Sequence, residues 1–264
     1  MMQVANSSAL RRKRDTVGSR HSGGAAKGSD MKVVLLACEV MRDLVRPHLD
    51  DAPADTIYMD FGLHETPKRM APALQKELDA IEEPSLVLVG YGLCGTGIVG
   101  LEAKRHTLVI PRTHDCIAIL LGSHQEYMRT IGESPGTYYL TKGWLEAGTD
   151  PLKEYESYVE RYGEKTADMV MDTMYRNYTH ICLVSHSEED LAANRERAQV
   201  VASFCQERWG MEYNERVGSD ALIAKLLNAP RHLDLLGDEF VVIAPGGKVT
   251  MEPFLDFGAP AETS

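Results

Sequence analysis

The sequence has no hydrophobic run long enough to cross a bilayer, which takes about 20 consecutive apolar residues. Its basic start at residues 11–14 is followed by Ser-Arg-His-Ser-Gly-Gly, where a secretory signal would have an apolar segment. These two absences argue against a membrane-spanning protein and a standard export signal. We therefore predict a cytoplasmic protein with no membrane partner.

An excess of basic residues is also lacking, because the formal net charge is −11 at pH 7. No basic face is left to neutralise phosphates, so we predict no nucleic-acid partner. The first 30 residues are the exception, with six Lys or Arg against two Asp. We predict that residues 1–30 are a disordered basic tail or an extension upstream of a natural start at Met31. Residues 256–264 are predicted to be a loose tail.

Paired cysteine motifs are missing as well. The five cysteines are odd in number and irregularly spaced, so they do not predict a disulfide framework, and no C-x-x-C pair of a local zinc motif occurs. In a cytoplasmic setting their thiols stay reduced. Each cysteine is then either a small buried hydrophobic residue or a group used for chemistry.

Short apolar runs alternate with helical patterns along the chain. The runs lie at residues 32–38, 56–60, 86–90, 107–110, 180–184 and 240–244. Strands that alternate with helices predict an α/β fold with mostly parallel sheets. We predict two Rossmann-like lobes, residues 31–150 and residues 151–255, the second opening with a helical connection. The cleft between them is expected at the carboxyl ends of the strands, where ligands bind in such sheets.

Three cysteines follow predicted strands at their carboxyl ends. They are Cys38, Cys94 and Cys116, and His114 lies two residues before the last of them. Because the ends of parallel strands meet at one edge of a sheet, these thiols can converge, and Cys₃His is an ordinary zinc ligand set. His64, in the loop after the second strand, is a further candidate. An iron–sulfur cluster is the alternative, and buried thiols without any metal are the structural interpretation.

The segment from residue 112 to 116 adds a second argument. We predict one long helix beginning at residue 113 or 114, which places Cys116 in its first turn. There the helix dipole, with Arg112 or a protonated His114, would favour the thiolate. Asp115 is expected to orient a metal ligand or to act as a helix-start anion. Glu39, Arg112 and Asp115 are our candidate catalytic residues.

Two further stretches predict contacts to a small molecule. Gly90, Tyr91 and Gly92 lie in a glycine-dense turn that resembles a phosphate-binding loop, although it lacks the G-x-G-x-x-G spacing and a P-loop lysine. Residues 132–150 are predicted to be a loop rich in aromatic side chains, and such loops often close over ligands. With Ser123, the candidate binding residues are Gly90, Tyr91, Gly92, Tyr138, Tyr139 and Trp144.

The chain resembles a bacterial and archaeal family catalogued as domain of unknown function 1638. The matching stretches are Ala37-Cys-Glu39, Leu63-His64, Gly90-Tyr-Gly-Leu-Cys94, Pro111-Arg-Thr-His-Asp-Cys-Ile117, Leu121-Gly-Ser123 and Gly136-Thr-Tyr-Tyr-Leu-Thr141 with Gly143-Trp144. They cover the region from about Met31 to Trp144, with weaker likeness through Gly247. Members of the family tend to occur beside corrinoid-dependent methyltransferases that demethylate methylamines and betaines. The resemblance therefore implies a link to corrinoid-dependent one-carbon metabolism.

These observations lead to one main hypothesis and two alternatives. The main one is a metal-binding protein, with zinc as the metal, that serves corrinoid-dependent methyl transfer; if it is an enzyme, it is a metal-dependent methyl transferase. The first alternative is a non-catalytic accessory or chaperone of a corrinoid protein. The second is a small-molecule or phosphate-binding α/β domain whose cysteines are buried and structural. The expected partner is accordingly a small-molecule ligand or a corrinoid protein.

Overall fold

The computed structural model describes residues 31–50, 54–63, 66–233 and 236–255, together with the backbone of residues 13–15. In chain order the strands are β1 (Lys13–Asp15), β2 (Lys32–Cys38), β3 (Asp55–Met59), β4 (Ser85–Gly90), β5 (Thr107–Pro111), β6 (Thr137–Leu140), β7 (His180–Ser185), β8 (Glu212–Val217) and β9 (Phe240–Ile243). The α-helices are α1 (Arg42–Val45), α2 (Met70–Asp79), α3 (Ile117–Leu121), α4 (His124–Glu133), α5 (Lys142–Ala147), α6 (Pro151–Tyr162), α7 (Glu164–Tyr175), α8 (Glu188–Trp209) and α9 (Ala221–Asn228).

The first sheet has the strand order β1-β3-β2-β4-β5-β9. Its four central strands, β3, β2, β4 and β5, are parallel to one another. β2 and β4 are apolar along almost their whole length and buried, as expected for parallel strands covered on both faces. The predicted α/β class with mostly parallel, Rossmann-like sheets is thus confirmed.

The second sheet has the order β6-β7-β8, and all three of its strands are parallel. β6 lies within residues 132–150, which the sequence predicted to be a loop. It pairs with β7 from Thr137↔His180 to Leu140↔Leu183. A strand of four residues carries little periodic signal, and its partner lies about 40 residues away, so the prediction missed it. The second sheet therefore begins before residue 150.

β9 belongs to the first sheet and not to the second lobe, where the sequence analysis had placed residues 240–244. It pairs antiparallel with β5, from Leu108↔Ile243 to Pro111↔Phe240. α9 also returns to the first sheet and packs on β4 and β5. β9 thus covers an edge of β5 that would otherwise be exposed. Periodicity along the chain does not reveal this pairing.

The long helix predicted from residue 113 or 114 and the helical connection predicted after residue 150 are each divided by a glycine. Gly122, with φ of +89°, separates α3 from α4, and Gly163, with φ of +80°, separates α6 from α7. A Cβ at Gly122 would lie 2.5 Å from the Cβ of Ser219. The Ser219 amide also donates to the carbonyl of Leu120 over 3.1 Å. This close approach joins the first lobe to the loop after β8.

Within residues 1–30, only Lys13–Asp15 is described, and its backbone pairs antiparallel with β3. The predicted disorder of the remaining N-terminal residues and of residues 256–264 falls outside the described residues. In the parts of the chain that are described, none of the helices is both long and apolar enough to cross a membrane.

Candidate functional site

Three thiols gather at the carboxyl ends of the neighbouring strands β2, β4 and β5. Cys38 is the last residue of β2, Cys94 follows β4, and Cys116 follows β5. All three side chains are buried, with exposed fractions of 0, 9 and 3%. The Cys116 thiol is hydrogen-bonded to Cys94, and Cys38 to the hydroxyl of Tyr91. These four side chains, called the thiol cluster below, interact electrostatically with one another.

The backbone of two chain segments holds Cys94 beside Cys116. The amides of Leu93 and Cys94 donate to the carbonyls of Thr113 and His114, each over 2.9 Å. A Cβ at Gly92 would lie 2.6 Å from the Thr113 hydroxyl oxygen and 2.7 Å from the Asp115 carbonyl. Only glycine at position 92 therefore allows the two segments to come this close.

Cys94 adopts an unusual backbone conformation. Its φ is +48°, and the next two residues, Gly95 and Thr96, also have positive φ, at +62° and +81°. For a residue with a Cβ this left-handed conformation costs about 1–2 kcal/mol. Strain of this kind is concentrated at functional sites, where the surrounding structure maintains it. No local pattern in the sequence predicts this conformation at Cys94 or Thr96.

Two thiols of the cluster, those of Cys38 and Cys116, hold their protons more firmly than free cysteine does. Burial raises the pKa of Cys38 to about 12. The hydrogen bond with Cys94, followed by burial, raises the pKa of Cys116 well above its ordinary value. The sequence predicts that the helix dipole and Arg112 favour a Cys116 thiolate. The raised pKa is the opposite of that prediction, because Cys116 is buried and α3 is only five residues long.

Arg112 is directed away from the cluster, toward the C-terminal segment. Its Nε donates to the carbonyl of Pro253 over 2.6 Å, and its Nη1 lies 3.4 Å from the carbonyl of Asp238. The Arg112 amide also donates to the Glu239 carbonyl. Arg112 therefore fastens the segment that carries β9 to the first sheet.

The two histidines proposed as ligands have different outcomes. His64 lies outside the described residues. The ring of His114 lies 5.4 Å from that of His124 and 6.4 Å from that of Tyr127, measured between centroids. Among the described residues, no three His, Cys, Asp or Glu side chains form a group that could hold a metal ion as they stand. The donor set of the cluster, three sulfur atoms, nevertheless has the chemistry that zinc prefers.

A cleft of about 550 Å³ lies next to the thiol cluster. Three of the residues predicted to contact a ligand, Tyr138, Tyr139 and Trp144, line it, and so does Asp115. The sequence analysis missed four other lining residues, Phe61, Tyr127, Glu154 and Tyr178. They come from separate elements, so only the folded chain brings them together. We refer to this site as the aromatic cleft.

One short segment separates the aromatic cleft from the thiol cluster. Asp115 and Ile117 line the cleft, whereas Cys116, between them, belongs to the cluster. Asp115 is fixed by two hydrogen bonds: its Oδ2 accepts from the Tyr127 hydroxyl over 2.6 Å, and its Oδ1 accepts from the Ile117 amide over 2.9 Å. The described residues that line the cleft include no cysteine.

Glu39 lies at neither of these sites. Its carboxylate forms a bidentate pair with Arg42, at 2.6 and 3.0 Å, and the Arg42 guanidinium stacks 4.0 Å over the Tyr58 ring. Glu39 instead faces a smaller pocket between the two sheets, of about 230 Å³, which Lys142 and others also line.

Three other predicted binding residues support the packing or the capping of the fold. A Cβ at Gly90 would meet the Ala37 Cβ at 2.7 Å, so Gly90 permits close packing of β2 and β4. Gly92 packs against residues 113–115, as described above. Ser123 caps α4, since its hydroxyl accepts from the Glu126 amide over 3.0 Å. The contacts of these residues account for their positions without a ligand.

The fold and the site define a class: an α/β protein with mostly parallel sheets, a buried thiol cluster at the strand ends and an aromatic cleft beside it. The chain belongs to the family described as protein of unknown function (DUF1638), whose model matches residues 58–227. No curated protein matches the chain. No solved structure matches it either.

Proposed function

We propose that this chain is a cytoplasmic metal-binding protein that holds zinc at Cys38, Cys94 and Cys116. In this proposal it binds a small ligand in the aromatic cleft and serves corrinoid-dependent methyl transfer. The observation that supports the metal site is the meeting of three sequence-distant thiols at the ends of β2, β4 and β5.

The donor set favours zinc over an iron–sulfur cluster. Thiolate sulfur is a common zinc ligand, and catalytic zinc sites take three protein ligands and leave a fourth position open. An iron–sulfur cluster is held by four cysteines in most proteins, and Cys182 and Cys205 belong to other parts of the structure. His114, in the segment beside Cys94, is the candidate for a fourth protein ligand. Zinc supplies Lewis acidity and lowers the pKa of a bound thiol.

Metal binding at this cluster must be coupled to proton release. The pKa values of Cys38 and Cys116 are raised in the protein without metal, whereas a metal ligand has to be a thiolate. Binding would also draw the sulfur atoms closer together than they stand now. The apparent zinc affinity should therefore rise with pH between 6 and 8.

The test is the metal content of the protein purified under anaerobic conditions. We expect about one zinc per chain, by the stoichiometry of a Cys₃ site. Cys94→Ser and Cys116→Ser should each lose most of that zinc. Cys182→Ser and Cys205→Ser are the matched controls, because these cysteines are equally buried but lie in β7 and α8.

Other outcomes have distinct meanings. Iron with acid-labile sulfide and a brown colour would show that the same cysteines hold an iron–sulfur cluster instead of zinc. Unchanged metal content in both Cys94→Ser and Cys116→Ser, or a metal-free native protein, would contradict the proposal.

A second candidate function is a small-molecule-binding domain whose thiols are structural. The observation in its favour is that the aromatic cleft has its own lining and does not use the cysteines. Under this alternative no metal copurifies, and ligand binding survives serine substitution of every cysteine in the cluster.

A further inference from the structure

We infer that the aromatic cleft binds a short extended peptide, which pairs with the open edge of β6 as an added strand. This inference deepens the proposed function by naming the class of ligand that the cleft takes. It rests on the proposed use of the cleft as a binding site and not on the metal. It is based on the position of β6 in its sheet, on the two faces of β6 that the cleft reaches, and on the composition of the walls.

β6 is an edge strand with one open side. It pairs with β7 and, among the described strands, with no other. The Gly136 carbonyl accepts from the amides of Thr179 and His180, which lie on the β7 side. Because the backbone groups of successive residues in a strand alternate in direction, those of Thr137 and Tyr139 point away from β7. Such an edge presents unpaired N–H and C=O groups to a second chain.

The aromatic cleft runs along this open edge. Successive side chains of a strand point to opposite faces of the sheet. Tyr138 packs against the apolar core of the second sheet, whereas Tyr139 packs against the core of the first. Both side chains nevertheless line the cleft, and its lining extends from Ser134, before β6, to Trp144, after it. A cavity that reaches both faces of β6 along its length faces the edge between them, so the outward backbone groups are directed into the cleft.

These outward groups specify the chemistry of the ligand. An apolar ligand that filled the cleft would remove them from water without offering hydrogen bonds, which is costly. Thr137 and Tyr139 are two residues apart, or about 6.6 Å along the strand. An extended peptide repeats its own N–H and C=O groups at the same interval, which is how peptides add a strand to an open sheet edge. The cleft volume of about 550 Å³ fits a short segment, since small-molecule sites measure about 300–1,000 Å³.

The walls of the cleft specify the side chains of the peptide. The described lining residues include six aromatic rings and no Lys, Arg or His. The Asp115 carboxylate accepts from two neutral donors, the Tyr127 hydroxyl and the Ile117 amide, and among the described residues no cation forms an ion pair with it. Apolar side chains would contact the rings, and a Lys or Arg would complement the charge of Asp115. The expected peptide therefore has a basic residue flanked by apolar ones.

A second copy of this chain does not fit the same edge. β6 lies between α4, which contributes Tyr127 and Ile131 to the cleft, and α6, which contributes Glu154. A folded second copy would bring the same two walls beside its own β6, and the walls would meet before the strands could pair. An extended segment has no such walls, so the ligand is a peptide segment of a partner protein.

Peptide selection on the full-length protein tests this assignment. The probe is a random library of seven-residue peptides displayed on phage, and the most enriched peptide is then synthesised and its affinity measured by calorimetry. We expect enriched sequences in which apolar residues flank a Lys or Arg. A selection that enriches no peptide, or only acidic ones, would overturn the inference.

N-methylation of the selected peptide distinguishes strand pairing from side-chain contacts alone. In an added strand every second N–H of the peptide donates to β6, and the others point away. We expect N-methylation to weaken binding about tenfold at alternate positions and less than about twofold at the positions between them. Equal effects at successive positions would overturn the pairing with β6. The protein is unchanged throughout, so the result does not depend on the folding of a variant.

Thr137→Pro closes the edge from the side of the protein. Proline is tolerated in an edge strand where the N–H faces away from the neighbouring strand, and here it removes an outward donor. Thr137→Val is the matched control, because it keeps the N–H and the size of the side chain. We expect Thr137→Pro to weaken peptide binding about tenfold and Thr137→Val to leave it within about twofold. Equal affinities in two variants that circular dichroism shows to be folded would overturn the inference.

Asp115→Asn tests the charge of the cleft. It should weaken binding of the selected peptide several-fold and have little effect on the same peptide with its basic residue replaced by norleucine. Glu160→Gln is the matched control, because Glu160 is exposed and lies outside the cleft. Unchanged affinity in Asp115→Asn would overturn the choice of a basic peptide.

Peptide binding and zinc content are independent measurements. Peptide binding retained in Cys116→Ser would support the edge site whatever the metal analysis shows. A native dimer in sedimentation that Thr137→Pro disperses would assign the edge to a second copy and overturn the inference.

Discussion

Asp115 and Cys116 are neighbours in the chain but belong to two opposite environments. On the side of Cys116, three buried thiols meet one tyrosine, and the pKa values of Cys38 and Cys116 are raised. On the side of Asp115, an open cleft presents six aromatic rings and two carboxylates. The difference shows that one backbone segment can separate a set of buried soft donors from an open aromatic cleft without sharing a side chain between them.

The strongest test of this separation is a pair of substitutions at these neighbours. We expect Cys116→Ser to lose most of the bound zinc, because it removes a sulfur ligand. Asp115→Asn should keep the zinc, because Asp115 lines the cleft and not the thiol cluster. Zinc analysis of both proteins would measure the difference, and an equal loss of zinc in the two variants would show that the two sites act as one.

The next largest effect is expected at Gly92, which allows the chain before Cys94 to pack closely against residues 113–115. A Cβ at this position would lie 2.7 Å from the Asp115 carbonyl, so we expect Gly92→Ala to lower the free energy of unfolding by about 2–3 kcal/mol. At Gly95 a Cβ has open space and the φ is +62°, so Gly95→Ala should cost only about 1 kcal/mol. Urea denaturation of both variants would measure the difference, and equal losses would refute the packing role of Gly92.

The ring of His124 lies beside the rings of His114 and Tyr127. His114 is next to the thiol cluster in the chain, and Tyr127 lines the aromatic cleft. Burial, then the nearby His114 and Arg112, lower the pKa of His124 to about 4. A histidine whose folded pKa is lowered favours folding in its neutral form, so its contribution is present above pH 6.5 and is lost as the pH falls toward 4. The metal-free protein should lose more stability than His124→Gln over that interval. Parallel curves of unfolding free energy against pH for the native protein and His124→Gln would contradict this prediction.

The smallest effect is expected at Ser123. The sequence predicts a ligand contact at this residue, whereas in the structure it is the N-cap of α4. Ser123→Ala should lower the free energy of unfolding by about 1 kcal/mol and leave the zinc content unchanged. Loss of zinc without loss of stability would return Ser123 to the candidate binding residues.

The features that could be predicted from the sequence are those that local patterns specify. The apolar runs located β2, β4, β5 and β7, and the rule for strand ends brought Cys38, Cys94 and Cys116 to one place. Tyr138, Tyr139 and Trp144 were predicted to contact a ligand, and they line the cleft. In each case, a short stretch of chain and the geometry of a parallel sheet were sufficient.

The features that could not be predicted depend on distant contacts. β6 is a strand because it pairs with β7. β9 covers the edge of β5 although it lies about 130 residues farther along the chain. Phe61, Glu154 and Tyr178 reach the cleft from three separate elements. The raised pKa of Cys116 follows from its hydrogen bond with Cys94 and then from burial, whereas the sequence pattern predicts only a helix start.

X-ray absorption at the zinc edge of the purified protein would detect a zinc ion held by Cys38, Cys94 and Cys116. We predict a shell of three sulfur atoms at about 2.3 Å, the usual Zn–S distance. This shell should shrink to two sulfur atoms or vanish in Cys94→Ser and stay intact in Cys205→Ser. Zinc bound only by nitrogen and oxygen, or a spectrum identical in both variants, would contradict it.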